Sequence, residues 1–140
     1  MRRSTALIEL SREHHSALVW SKKLSVIDSN NCDESAELWA ELQLKMRSDL
    51  LEHFSEEEKI IEKLQLSAVS HPLIGRLYHD HAVLRNYLSQ KEGRDVAAFA
   101  ELLKQHVRFE ERELFNWLES EFGDQYLNMI VNSGGGRETV

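Results

Sequence analysis

Two stretches of this chain place a histidine four residues ahead of a glutamate: His53 and Glu57 in HFSEEE, and His106 and Glu110 in HVRFEERELF. On an α-helix, residues at that spacing share one face and sit one turn apart. An imidazole and a carboxylate stacked this way are half of a metal site. Two such helices facing each other supply a whole one. Leu50-Leu51 precedes the first pair and Leu102-Leu103 the second, so both pairs fall where a helix is buried.

Four amphipathic helices are needed to bring these groups together, and the apolar pattern supplies four. The first is expected from Ser4, its cap, to Ile27, with Leu7, Leu10, His14, Ala17, Leu18 and Leu24 on one stripe. Asp28 to Asn31 is a turn signal. The second begins near Asp33 or Ser35 and ends near Leu66, carrying Leu38, Leu42, Met46, Leu50, His53, Ile60, Ile61 and Leu64. Ser70-His71-Pro72 breaks the chain, and Pro72 suits the first turn of a third helix. That helix carries Leu73, Ile74, Leu77, His81, Leu84 and Leu88. Gly93 ends the next connection. Asp95 caps a fourth helix that carries Phe99, Leu102, Leu103, His106, Glu110, Leu114, Trp117 and Leu118 as far as Gly123. Short connections make this an all-α, antiparallel up-down-up-down four-helix bundle over residues 1–122. Residues 123–140 are expected to hold one short extra helix, 124–131, and a flexible tail from Ser133.

Composition agrees with one helical domain. The chain has 140 residues, 29% of them charged, and a single proline. Net charge is −7, and Lys and Arg are scattered without a basic stripe, which argues against a nucleic-acid partner. The lone cysteine, Cys32, forms no internal disulfide and rules out a cysteine-based metal site; it fits a reducing compartment. No apolar run approaches the roughly 20 residues of a membrane span, and the N-terminus lacks a signal-peptide pattern. A soluble, cytoplasmic protein is expected.

Each helix puts one histidine on its apolar stripe: His14, His53, His81 and His106. The second and fourth add Glu57 and Glu110. Buried carboxylates without partners cost several kcal/mol, about the penalty a bound cation removes. Four imidazoles and two carboxylates exceed the ligand count of one zinc ion. The set fits two first-row ions bridged by the carboxylates, and mixed nitrogen and oxygen donors suit iron, with manganese or zinc as alternatives. Whether His15 competes with His14, or Glu111 with Glu110, is left open by the pattern. His79 falls on another face, and His71 reads as an exposed loop residue. Glu56, Glu58, Glu111 and Glu113 read as solvated charges. Phe54, Phe109, Phe115 and Trp117 read as packing around the ligand turns, and Trp20 and Trp39 carry no specific signal. The halves of the chain repeat weakly: Leu10-Ser11-Arg12-Glu13-His14 matches Leu77-Tyr78-His79-Asp80-His81 in its leucine, acid and histidine.

Together these motifs, L-x-x-E-H at 10–14, H-F-x-x-E-E from 53, L-x-x-D-H at 77–81 and H-x-R-x-E-E-x-x-L-F at 106–115, resemble the hemerythrin-like, or HHE cation-binding, domain over residues 5–120. The resemblance implies a four-helix bundle with a non-haem di-iron centre. It makes His14, His53, His81 and His106 terminal ligands, and Glu57 and Glu110 bridges between two irons. Oxygen-carrying hemerythrins have a second histidine one turn before the third-helix ligand, where this chain has Leu77. They also space an acid five residues after the fourth-helix histidine, whereas Glu110 follows His106 by four. Leu77 is expected to leave an open or water-filled position that Tyr78 could approach. Both departures point away from reversible oxygen carriage. They point toward the broader group, linked to iron or oxygen sensing, nitric oxide or peroxide responses, and iron handling.

The function expected is a di-iron module that binds a small diatomic or peroxide ligand or reports iron availability, rather than an enzyme. The enzymatic alternative is a di-iron oxidase, peroxidase or nitric oxide reductase. A metal-free interaction bundle is the third, weakest option. No protein partner is legible.

Overall fold

The computed structural model describes residues 3–26, 32–90 and 95–137, and among them there is no strand. Helix α1 spans Thr5–Ser25, α2 Cys32–Lys63, α3 Pro72–Leu88 and α4 Val96–Phe109. A π-helical stretch, Glu110–Leu114, carries α4 without a break into α5, Phe115–Phe122; α6 follows at Asp124–Arg137. No described helix is long and apolar enough to cross a membrane.

Helices α1 to α4 close a ring: α1 packs on α2 and α4, and α3 packs on the same two. Their directions alternate, as the core shows. An upper cluster takes Ala17, Trp20 and Leu24 from the end of α1, and Trp39, Met46, Leu50 and Phe54 from the first two-thirds of α2. It takes Leu84 and Leu88 from the end of α3, and Val96 to Val107 from α4, the first half of the continuous helix that runs on into α5. A lower cluster takes the opposite ends: Leu7 and Leu10, Ile60 to Leu64, Ile74 and Leu77, and Phe109 to Leu118. The motif residues lie between these two apolar layers, so the polar layer is sealed above and below by leucine and phenylalanine. Burial of these layers drives the fold.

Local chemistry sets the ends. Pro72 opens α3 with its fixed φ, and His71 caps it: Leu73 N–H donates to His71 Nδ1 at 3.1 Å. His71 also stacks on Trp117 at 4.3 Å between ring centres, so it is a half-buried cap rather than an exposed loop residue. Ser4 stands at the start of α1 but makes no side-chain cap; its own N–H donates to Glu119 Oε2 at 2.6 Å. Asp95 precedes α4 with φ 53° and likewise makes no side-chain cap. On α1, Leu18 is 39% exposed and lies off the stripe. Trp20 and Ser21 face inward instead, with Ser21 Oγ donating to the Ala100 carbonyl at 2.6 Å. Ile27, the turn from Asp28 to Asn31, and Gly93 lie outside the described residues.

Gly123 ends α5 at φ 82°, a left-handed conformation that favours glycine, and its N–H bonds the Glu119 carbonyl. The chain then turns back as α6, which packs on α1, α2 and α5. Leu127 is fully buried in the lower cluster. The backbone is helical through Arg137, past the 124–131 segment expected and into the stretch read as a flexible tail.

Candidate metal centre

The bundle brings all six motif side chains to one place. His14, His53, His81, His106, Glu57 and Glu110 are each at most 5% exposed. Every histidine turns Nε2 inward and Nδ1 outward. Glu57 and Glu110 each divide their two oxygens between two groups. In one group, His14 Nε2 lies 2.6 Å from Glu110 Oε1, and His53 Nε2 lies 3.0 Å from Glu57 Oε2. In the other, His81 Nε2 lies 3.0 Å from Glu57 Oε1, and His106 Nε2 lies 3.1 Å from Glu110 Oε2. Cross-pairs such as His14 Nε2 to Glu57 Oε2 and His81 Nε2 to Glu110 Oε2 stand at 3.8 Å. Thus His14, His53, Glu57 and Glu110 form one set, and Glu57, His81, His106 and Glu110 a second, with the donor atoms of each set within 4.8 Å of one another.

These donors suit a cation. Four of them, His53 Nε2, Glu57 Oε2, His106 Nε2 and Glu110 Oε2, are buried without a hydrogen-bond partner, since the 3.0 and 3.1 Å contacts are not aligned as hydrogen bonds. Unsatisfied buried polar atoms are costly and rare, and two of them in each donor set call for an acceptor of electron pairs at each. Donors about 2.1 Å from one ion stand roughly 3.0–3.4 Å from each other, close to the spacing observed.

A second layer holds each imidazole by its outer nitrogen. His14 Nδ1 bonds Glu111 at 2.7 Å, His53 Nδ1 bonds Glu13 at 2.6 Å, His81 Nδ1 bonds Glu58 at 2.7 Å and His106 Nδ1 bonds Asp80 at 2.9 Å. A carboxylate on Nδ1 fixes the ring's orientation and leaves Nε2 to face an ion with raised basicity. The layer follows the sequence repeat. The acids before His14 and His81 (Glu13 and Asp80) serve the histidines of α2 and α4. The acids after Glu57 and Glu110 (Glu58 and Glu111) serve those of α3 and α1. A third layer is cationic: Arg85 bonds Glu58 at 2.8 Å, Arg3 bonds Glu111 at 3.0 Å, and Arg76 approaches Asp80 at 3.5 Å. Among the described residues no lysine or arginine pairs with Glu13.

The π-helical turn makes the Glu110-Glu111 pairing work. Phe115 N–H bonds the carbonyl of Glu110, five residues back, so this turn is wider than an α turn. Glu110 points to the centre while its neighbour Glu111 reaches across to α1. Glu110 and not Glu111 faces the nest, and neither Glu58 nor Glu111 is a freely solvated charge. His15 is exposed and does not compete with His14.

Charge explains the titration. Burial disfavours each imidazolium, yet the surrounding carboxylates outweigh it. His14 is pushed up to about 11, His53 to about 12 and His81 to about 10, and His106 is raised. Burial likewise opposes ionisation of the acids, but the imidazoles and arginines hold Glu58 and Glu111 down to about 2 and lower Asp80, Glu57 and, most strongly, Glu110. With neutral imidazoles, the six carboxylates would exceed the three guanidiniums by three negative charges. Protons meet that deficit in the metal-free chain, and divalent cations can meet it instead.

A cavity of about 260 Å³ reaches the centre between α1 and α2. Glu13, Ser16, Asp49 and Glu52 stand at its exposed side, and Ala17, Leu50, Phe54, Leu103 and Val107 form its buried wall. His14, His53, His106 and Glu110 line its inner end. Among the described residues little space lies beside Leu77, where an open position is expected. Leu77 is fully buried among Leu7, Leu10, Ile61 and Leu118, and the void they share with Glu57 is about 10 Å³, at or below the size a water needs. Tyr78 lies against the lower core beside Glu58 and Glu62, away from the cavity lining.

A buried nest of four histidines and two shared carboxylates inside a four-helix bundle defines a class of cation-binding domain. Residues 6–118 match the hemerythrin HHE cation-binding domain, and the chain belongs to that family. No curated protein and no solved structure gives a significant match.

Proposed function

We propose that this chain is a non-haem di-iron protein that binds a small ligand such as oxygen, nitric oxide or peroxide, or senses iron or oxygen through that site. His14 and His53 would hold one iron, His81 and His106 the other, and Glu57 and Glu110 would bridge them. The observation that carries this reading is the division of each carboxylate: one oxygen of Glu57 and one of Glu110 belong to each histidine pair. Such an iron pair supplies reversible coordination and redox chemistry toward diatomic molecules. The protein's own residues orient the imidazoles, keep bulk water from the His81 side, and leave the cavity at His14 and His53 as the approach for a small molecule.

The test is metal analysis with the visible spectrum of the air-exposed, iron-replete protein. Two irons per chain are expected in the native protein. If His53→Ala and Glu57→Ala proteins retain both irons, the ligand assignment is wrong.

A further inference from the structure

The two halves of the nest share donor chemistry and differ in how they meet solvent. The cavity meets both His14 and His53, touches only His106 of the other pair, and misses His81. Three carboxylates, Glu13, Asp49 and Glu52, stand around its exposed side, and no lysine or arginine lines it. Lys45 lies 3.2 Å from Asp49, but that side chain is 78% exposed and offsets little. At the inner end is His53 Nε2, in a side chain 5% exposed, with no hydrogen-bond partner. On the other side, Phe54 stacks on His81 at 4.3 Å between ring centres, and the outer carboxylates there, Glu58 and Asp80, are covered by Arg85 and Arg76.

Resting on the two-ion reading above, we propose that the α1–α2 cavity is a loading and exchange port for divalent cations. Ions are drawn in by Glu13, Asp49 and Glu52 and exchange at His14 and His53, while the ion at His81 and His106 is retained. The negative mouth raises the local concentration of a divalent cation, and low-dielectric walls of Ala17, Leu50 and Phe54 focus its field. The same charges repel anions, so neutral molecules and cations pass where anionic ligands are slowed. A guanidinium over Glu58 or Asp80 does the reverse for an approaching cation.

The test uses full-length protein loaded with cobalt and mixed with excess zinc. Loss of the cobalt ligand-field absorption gives the rates, and mass spectrometry of the intact protein counts the ions. The expected result is two phases of equal amplitude. The fast phase should slow about fivefold in Asp49→Asn/Glu52→Gln protein, and also in high salt, with the slow phase unchanged. Ser16→Phe, a substitution at an exposed mouth position, should also slow only the fast phase while cobalt content stays at two. A single phase, or a fast phase indifferent to the mouth charges, to salt and to Ser16→Phe, overturns the port. Failure to load more than one cobalt overturns the two-ion reading itself, and the port with it.

Discussion

At the His81 and His106 end of the nest, both imidazoles are at most 1% exposed, their outer carboxylates are paired with Arg85 and Arg76, and Phe54 closes over one ring. At the His14 and His53 end, both imidazoles line a cavity that reaches only His106 of the other pair, and Glu13, which holds His53, is 46% exposed in its side chain with no lysine or arginine on it among the described residues. The sequence repeat gives the two ends matching ligands through matching positions on α1 and α3 and on α2 and α4. What separates them lies outside the ligands: which acid is neutralised, and where small side chains such as Ser16 and Ala17 leave room. On the proposed reading, donor type decides that an ion binds, and the outer layers decide how it is reached.

The largest expected effect comes from a residue both ends need. Glu110 is fully buried and gives an oxygen to each histidine pair. Glu110→Ala should abolish binding at both ends and, in the metal-free chain, strand two charged imidazoles without their main partner. Removing one member of a buried ion pair costs about 3–5 kcal/mol. Metal analysis and denaturant unfolding check this together. An ion retained at either end would show that the two sets are independent rather than joined through Glu110.

Acidity is the next lever, and it acts on both ends alike. In the metal-free chain, His14, His53 and His81 are held at about 11, 12 and 10, so at neutral pH they carry protons that an incoming ion must displace. Apparent metal affinity should therefore rise with pH between 6 and 9, with protons released on binding, as calorimetry in buffers of different ionisation enthalpy would record. The same shifts set the stability of the metal-free bundle. A histidine whose pKa is raised stabilises the fold below its ordinary value of 6.5 and loses that contribution as pH climbs through about 10 to 12. Glu58 and Glu111, held at about 2, stabilise above the ordinary carboxylate range and lose that contribution as pH falls toward 2. Metal loading removes the histidine protons and should extend the alkaline limit of stability.

The outer carboxylates sharpen the comparison directly. Asp80→Asn replaces the charged acceptor of a buried bond to His106 with a neutral amide, and such changes lower metal affinity by about 10–100-fold. Glu13→Gln makes the same change to the bond on His53 at an exposed position where water can also accept, so a loss of less than about tenfold is expected. Competition titration with a coloured chelator measures both. Equal losses would mean that the solvent-facing end is held as firmly as the sealed one.

Much of this site is legible in the sequence, and the limits have physical causes. The inner six were readable because spacing of four residues and an apolar stripe both report the inward face of a single helix. Glu58 and Glu111 were read as solvated because a residue next to an inward one points about 100° away from it on its own helix. What that direction meets depends on the neighbouring helix, which one helix's periodicity does not encode. The repeat was the available signal: each of the four acids is adjacent to a motif residue, at matching places in the two halves. The π-helical turn at Glu110–Leu114 left no mark in the pattern beyond two consecutive glutamates. The cap at His71 and the packing of α6 through Leu127 depend on contacts with distant parts of the chain. Space beside Leu77 is not legible either, because a missing ligand opens room only as far as the packed leucine side chain allows.

The smallest expected difference concerns the arginines. Arg85 bonds Glu58 through both terminal nitrogens, at 2.8 and 3.2 Å, and Glu58 in turn holds His81. Arg3 bonds Glu111, the Glu111 carbonyl, Asn116 and Glu119, and Glu111 holds His14. Arg85 is 36% exposed and Arg3 17%, so each pair is partly screened and worth up to about 1 kcal/mol. Arg85→Ala should weaken metal binding a few-fold through its carboxylate and leave the unfolding midpoint nearly unchanged. Arg3→Ala should do the reverse. Its guanidinium ties the segment before α1 to the π-helical turn and α5 through four acceptors, so its loss loosens a helix end more than it disturbs a ligand. Paired measurements of metal affinity and thermal midpoint on the two variants would separate these roles. A larger affinity loss in Arg3→Ala would show that tension on His14 is transmitted from the chain's N-terminal segment.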